Sequence, residues 1–257
     1  MNACWTIFKK EVKGYYKTPG LYIIGFLVAL VLSWVFPALL KQFADQSQTF
    51  MMQPGVPKQM MNIHYGVFLR ELSYLNLILI FIVPALTMKL FAEEKKLRTF
   101  DLLLTSPVTS WQIVFGKYLA ALVAVMGILG VALAYPVMTA TVAEVNFLQL
   151  GIAFGGLLFV GAVYTAMNLF SSALTENGIV AYVLSVIFNI AVWFVGIGAE
   201  MADSETARKV FEHISLNTHL TGFVEGTVRT NGLVFFVSLI ALFTFLSERV
   251  VEATRWR

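Results

Sequence analysis

The side chains that most often do chemistry are few here and poorly arranged for it. The histidines are His64, His213 and His219, and the one cysteine is Cys4. His213 and His219 stand six residues apart, a weak metal signal given the strict geometry of zinc sites, with interfacial hydrogen bonding the plainer expectation. No metal site is therefore expected, and Cys4 has no partner for an internal bridge. Neither H-E-x-x-H nor G-x-S-x-G occurs, and Gly116-Lys117 lacks the glycine five positions earlier that a phosphate loop requires. No catalytic residue and no ATP site are expected, so any work the protein does draws its energy from a partner.

The lysines and aromatics near the N-terminus do form a pattern. At 100° per residue, Trp5, Phe8, Val12, Tyr15 and Tyr16 share one arc, and Lys9, Lys10, Lys13 and Lys17 occupy the adjacent one. Such a helix lies on a membrane and meets acidic headgroups. Residues 1–20 are expected to form it, with Trp5, Phe8, Lys9, Lys13 and Lys17 in contact with lipid and Pro19-Gly20 as the break. A plain positively charged flank is the alternative.

The stretch from Phe91 to Val108 is richer. A mixed-charge turn, Glu93-Glu94-Lys95-Lys96, leads into an apolar knob of Phe100, Leu102, Leu103 and Leu104 that Pro107 ends. Thr109-x-x-Gln112 is a capping box that opens the next helix. A charge-ringed apolar knob suits docking into a groove of another protein, or packing on its own bundle or the lipid surface.

These segments must be positioned by elements that composition identifies. Of 257 residues, 58% are hydrophobic and 13% charged, with mean hydropathy +0.78; soluble domains average about 25% charged. A soluble globular fold, disorder and a disulfide scaffold are excluded. The net charge of +3 is too small to indicate nucleic acid. The expected fold is an all-α membrane protein, a single unit over 1–257, with six transmembrane helices at 21–40, 72–88, 118–142, 145–174, 178–199 and 232–247. The first span has thirteen Leu, Ile, Val or Phe in twenty positions, about −4 to −8 kcal/mol towards insertion. The sixth is short and is expected to need interfacial turns or a locally thinned bilayer. As drawn, no span contains Asp, Glu, Lys, Arg or His, which argues against an ion-coupled transporter.

Twelve Lys and Arg fall in the N-terminal arm, the loop between spans two and three and the tail, against six in the longer loops on the other side. That bias puts both termini in the cytoplasm. Asn76, Asn168, Asn189, Ser171, Ser172 and Ser185 are the polar residues available to line a narrow path. Gly151-x-x-x-Gly155, beside Gly156 and Gly161, allows close helix packing, more readily within the chain than between copies. The paired methionines of 51–61 make an adaptable apolar surface. Ala207, Val210, Phe211 and Ile214 mark an amphipathic helix after a Ser204 or Asp203 cap.

The run Glu93-Glu94-Lys95-Lys96, Thr99, Asp101 to Val108, then Trp111 to Val114 and Gly116-Lys117, resembles the hallmark of ABC-2-type ABC transporter permeases. It is most similar to the permease subunit associated with gliding motility. Tyr164-Thr165-Ala166, Ser171 to Asn177 and the stretch with His219, Phe223, Gly226 and Arg229 extend the likeness over nearly the whole chain. Two positions depart from it: Arg98 stands where the family usually has glycine, which bears on the backbone turn, and Asp101 where it has glutamate.

The resemblance implies a permease in the bacterial cytoplasmic (inner) membrane. Its loop between spans two and three would form a cytoplasmic coupling helix on a separate ABC ATPase, with Phe100, Leu103, Leu104, Thr105 and Pro107 at the contact. Thr175, Glu176 and Asn177 would make a second, smaller contact. It further implies two ATPase copies holding the ATP and Mg, no cofactor on this chain, and a second permease copy or a related auxiliary subunit. The loop helix after Ser204 would be an external gate. Export or flipping of a substrate is the expected task; mechanical transmission to envelope partners without translocation is the alternative, and a passive channel a more distant one.

Overall fold

A computed structural model describes residues 3–51, 62–100, 107–201 and 204–255. Among them the chain is helical, with no strand: α1 (Ala3–Lys17), α2 (Pro19–Met51), α3 (Leu69–Thr87), α4 (Lys89–Lys96), α5 (Ser110–Thr139), α6 (Phe147–Leu174), α7 (Gly178–Met201), α8 (Glu205–Ile214), α9 (Leu216–Val224) and α10 (Thr230–Arg255). A π-helical turn, His64–Phe68, leads directly into α3. Six helices are long and apolar enough to cross a bilayer. In hydrocarbon a backbone must satisfy its own polar groups, which a continuous helix does. This is an all-α, six-span, multi-pass membrane protein.

The helices extend beyond the apolar runs. The sixth reaches 26 residues, about 39 Å at 1.5 Å per residue, so the expectation of a short span that thins the bilayer is corrected. The third begins at Ser110 rather than 118, and the second is helical from His64. The spans are consequently not free of charge: Lys117 on α5 and Glu71 on α3 are both buried. The argument against ion coupling from uncharged spans loses its premise. The loop expected over 41–71 is also shorter, because α2 continues to Met51.

Local signals end several of the elements. Thr109 and Gln112 form the reciprocal capping box of α5. Asn146, which the sequence reading did not single out, caps α6, and Ser204 caps α8 by accepting from the Ala207 amide, Asp203 lying outside the described residues. The α1–α2 break falls at Thr18, before Pro19.

α6 is the hub, packed by α3, α5, α7, α9 and α10, while α1 lies along α5. One large core fills the bundle. A second collects Ile7, Phe91, Phe100, Ile113, Ala173 and Val251 from α1, α4, the loop after it, α5, α6 and α10. Both chain termini lie at this end, called here the terminal end. α8 and α9 form the opposite, hairpin end.

The glycines pack differently from expectation. A Cβ on Gly151 or Gly155 would meet nothing within 4 Å, so that pair makes no close approach inside the chain. Gly156 and Gly161 do: a Cβ on Gly156 would collide with Phe223 of α9, and one on Gly161 would lie 3.0 Å from Val125. Close packing within the chain thus falls on Gly156 and Gly161, and only the alternative, packing between copies, is left for Gly151 and Gly155.

Candidate functional site

At the terminal end, charged residues from three helices close into a ring. The Lys117 side chain is 1% exposed, its Nζ 2.9 Å from Glu94 Oε2 and 3.1 Å from Glu11 Oε1. The same ammonium donates to the Leu90 carbonyl at 2.7 Å and lies 5.3 Å from the Phe91 ring centre. Lys10 closes the circuit, 3.2 Å from Glu94 and 3.6 Å from Glu11. Positive and negative groups alternate, so the ring carries no net charge. Burial lowers the affinity of the Lys10 ammonium for its proton, but Glu94 and then Glu11 outweigh it and leave the pKa raised.

The sequence builds this ring with ordinary devices. A Cβ on Gly116 would lie 3.0 Å from the Cys4 carbonyl oxygen, so a side chain there would push α1 off α5. Ile7, buried, seals the contact. Tyr15 donates to the Leu86 carbonyl at 2.9 Å, tying α1 to α3. Burial, with Glu11 nearby, raises its phenol pKa.

α4 is held to α6 as well. Ser172 Oγ donates to the Met88 carbonyl at 3.0 Å and accepts from the Phe91 and Ala92 amides at 3.2 and 3.3 Å, satisfying the backbone where α3 gives way to α4. Lys95 Nζ donates to the Ala173 carbonyl in the last turn of α6. Beyond α4 the chain turns through Arg98, whose φ is +55°. This is the left-handed region, where a side chain costs about 1–2 kcal/mol and glycine is at home. The departure noted at Arg98 thus falls on the helix-ending position that favours glycine.

Of the residues expected at a partner contact, Phe100 is turned inward, 1% exposed, with its ring centre 5.8 Å from that of Phe91. It anchors the stretch after α4 to the chain's own core. Pro107 is exposed, and Leu103, Leu104 and Thr105 lie outside the described residues. In the other turn, Thr175 Oγ1 accepts from the Asn177 amide and Asn177 Oδ1 from the Ile179 amide, leaving Glu176 and Asn177 exposed.

On α1, Trp5 and Phe8 stack at 4.8 Å, and Lys9 sits 5.3 Å from the Trp5 ring centre. Lys9, Lys13 and Lys17 are exposed. The helix therefore has a third face, Ile7, Glu11 and Tyr15, which the two-arc reading did not separate. Its signals were an isolated acid in a basic arm and a lysine set in an apolar helix.

At the hairpin end, His219 Nε2 lies 3.0 Å from the His213 carbonyl, and its ring stacks on Phe235 at 4.2 Å. Hydrogen bonding accounts for the pair. The apolar stripe of α8 is less enclosed than its pattern suggests: Val210, Phe211 and Ile214 are exposed.

The family model described as ABC-2 family transporter protein matches residues 5–255. No curated protein matches the chain. Members of such a family are the membrane components of ABC transporters and in general act with an ABC ATPase. With six bilayer-length helices and a match over nearly its whole length, the chain belongs to the ABC-2 family of transporter proteins.

Proposed function

We propose that this chain is the permease subunit of an ATP-driven transporter, with its terminal end in the cytoplasm of a bacterial inner membrane. A separate ATPase, in two copies with their ATP and Mg, engages the loop after α4, while two permease halves, identical or related, enclose the path. The observation that carries this reading is the ring of Lys117, Glu94, Lys10 and Glu11. It joins the helix leading into the loop to α1 and α5, so a displacement of the loop moves three elements together. Leu103, Leu104, Thr105 and Pro107 form the contact, Thr175, Glu176 and Asn177 a smaller one, and Trp5, Phe8, Lys9, Lys13 and Lys17 rest α1 on lipid headgroups. Nucleotide-driven movement then exports or flips a substrate.

One observation favours the second reading, mechanical transmission as in gliding-type machinery with nothing crossing. The span amides Asn76, Asn168 and Asn189 are buried within this chain rather than facing an open path.

The test is a mild-detergent pull-down of the tagged chain from native membranes. A phosphate-loop ATPase is expected with wild type and lost with Leu103→Asp plus Leu104→Asp, while the variant still inserts. Full recovery of an ATPase with unchanged activity in that variant places the docking site elsewhere.

A further inference from the structure

The amides and hydroxyls of the spans converge on one place. Tyr164, Asn168 and Ser172 recur every fourth residue on α6, so they share one stripe. Tyr164 donates to Asn76 Oδ1 on α3 at 3.4 Å, and Ser172 reaches Met88 beyond the end of α3. Asn168 stands one turn from each on that stripe, and interpolation between the two contacts puts it level with the turn of α3 that holds Ile80 and Pro84.

Pro84 has no amide hydrogen, so the Ile80 carbonyl lacks its helical donor. Asn189 of α7 supplies one, its Nδ2 3.2 Å from that oxygen. Ser185 lies one turn from Asn189 on the same face. The tight turn at 175–177 sets the register of α6 against α7 and brings Ser185 level with Asn168.

Asn168, Ser185 and Asn189 are each 0% exposed. Yet Asn168 Nδ2, Asn168 Oδ1, Ser185 Oγ and Asn189 Oδ1 have no protein hydrogen-bond partner. Buried groups of this kind are costly at membrane depth and are ordinarily satisfied by protein or ordered water. The set contains donors and acceptors and no charge, which is the complement of water and not of an ion.

We propose that Asn168, Ser185 and Asn189 form an internal water site at the Pro84 break of α3, enclosed by α3, α6 and α7. Water-bridged amides allow α3 to bend at the proline without stranding the Ile80 carbonyl. The site thus serves as a lubricated hinge above the α3–α4 junction.

The full chain in lipid nanodiscs provides the test, by X-ray radiolytic labelling in ¹⁸O water. Tyr164 is expected to take up label several-fold faster than Tyr118, which is similarly buried but lies in the other cluster. Asn168→Leu is expected to abolish that excess. Ser185→Ala removes only a hydroxyl and is expected to lower the thermal midpoint by a degree or two, since it strands the water. Equal labelling of the two tyrosines in wild type overturns the proposal. So does a raised midpoint for Ser185→Ala, the result for a dry site relieved of an unpaired group.

Discussion

Lys117 and Glu71 are both ionisable residues buried on bilayer-length helices, at opposite ends of the bundle, and they differ in company. Lys117 has two carboxylates, a backbone carbonyl and an aromatic face around it. Glu71 is 0% exposed, and neither of its oxygens accepts or donates a hydrogen bond among the described residues. Its neighbour Arg70 points away, donating to Gln42 at 2.8 Å. A paired charge joins helices; an unsatisfied buried carboxyl burdens the packing that encloses it. The terminal end is therefore tied across three helices by paired charge, whereas the packing at the other end encloses a group with no such tie.

The largest effect that would break this contrast is at Lys117. Lys117→Met leaves Glu11 and Glu94 with Lys10 alone and removes the buried partner of both, and is expected to cost about 3 kcal/mol, read as a large fall in the detergent thermal midpoint. Survival near the wild-type midpoint would mean the ring is not a structural joint. Glu71→Met should do the opposite, raising stability by about 1–3 kcal/mol through removal of an unsatisfied buried carboxyl. A fall there would give Glu71 a partner in the working protein and erase the difference between the ends.

Smaller changes sharpen the picture. Arg98→Gly relieves the left-handed turn and should stabilise by about 1 kcal/mol, provided the guanidinium holds nothing else; a lower midpoint would assign it such a role. On α8, Arg208–Glu212 and Lys209–Glu205 are exposed pairs one turn apart. Arg208→Ala or Lys209→Ala should shift stability by no more than about 0.5 kcal/mol, since solvent screens them as it does not screen Lys117.

The fold was legible because bilayer spans are written as long apolar runs, and because Thr109, Gln112, Asn177 and Ser204 act locally. The ends of the spans were not. Glu71 and Lys117 look like loop residues to a hydropathy reading, yet each lies on a helix whose neighbours bury it. The ring was illegible for a related reason: Lys117 and Glu11 are 106 positions apart, and nothing local pairs them. The apolar knob was read as one surface, but Phe100 separates from it because Phe91 lies within ring contact. Gly116 shows the reverse case, a residue quoted for its place in a motif whose physical task is to let α1 close on α5.

The separation of Glu11 from Lys117 also orders events during synthesis. α1 leaves the ribosome before its docking partner on α5, which follows only after two apolar segments have been made. Until then Glu11 has no Lys117, and Lys10 has no Glu94, so the ring cannot form while the first segment inserts. Arrival of the third helix draws Glu11 and Lys10 into the ring. The arm is thus made early and its joint completed late, and a chain truncated after α3 would lack the buried lysine on which the ring closes.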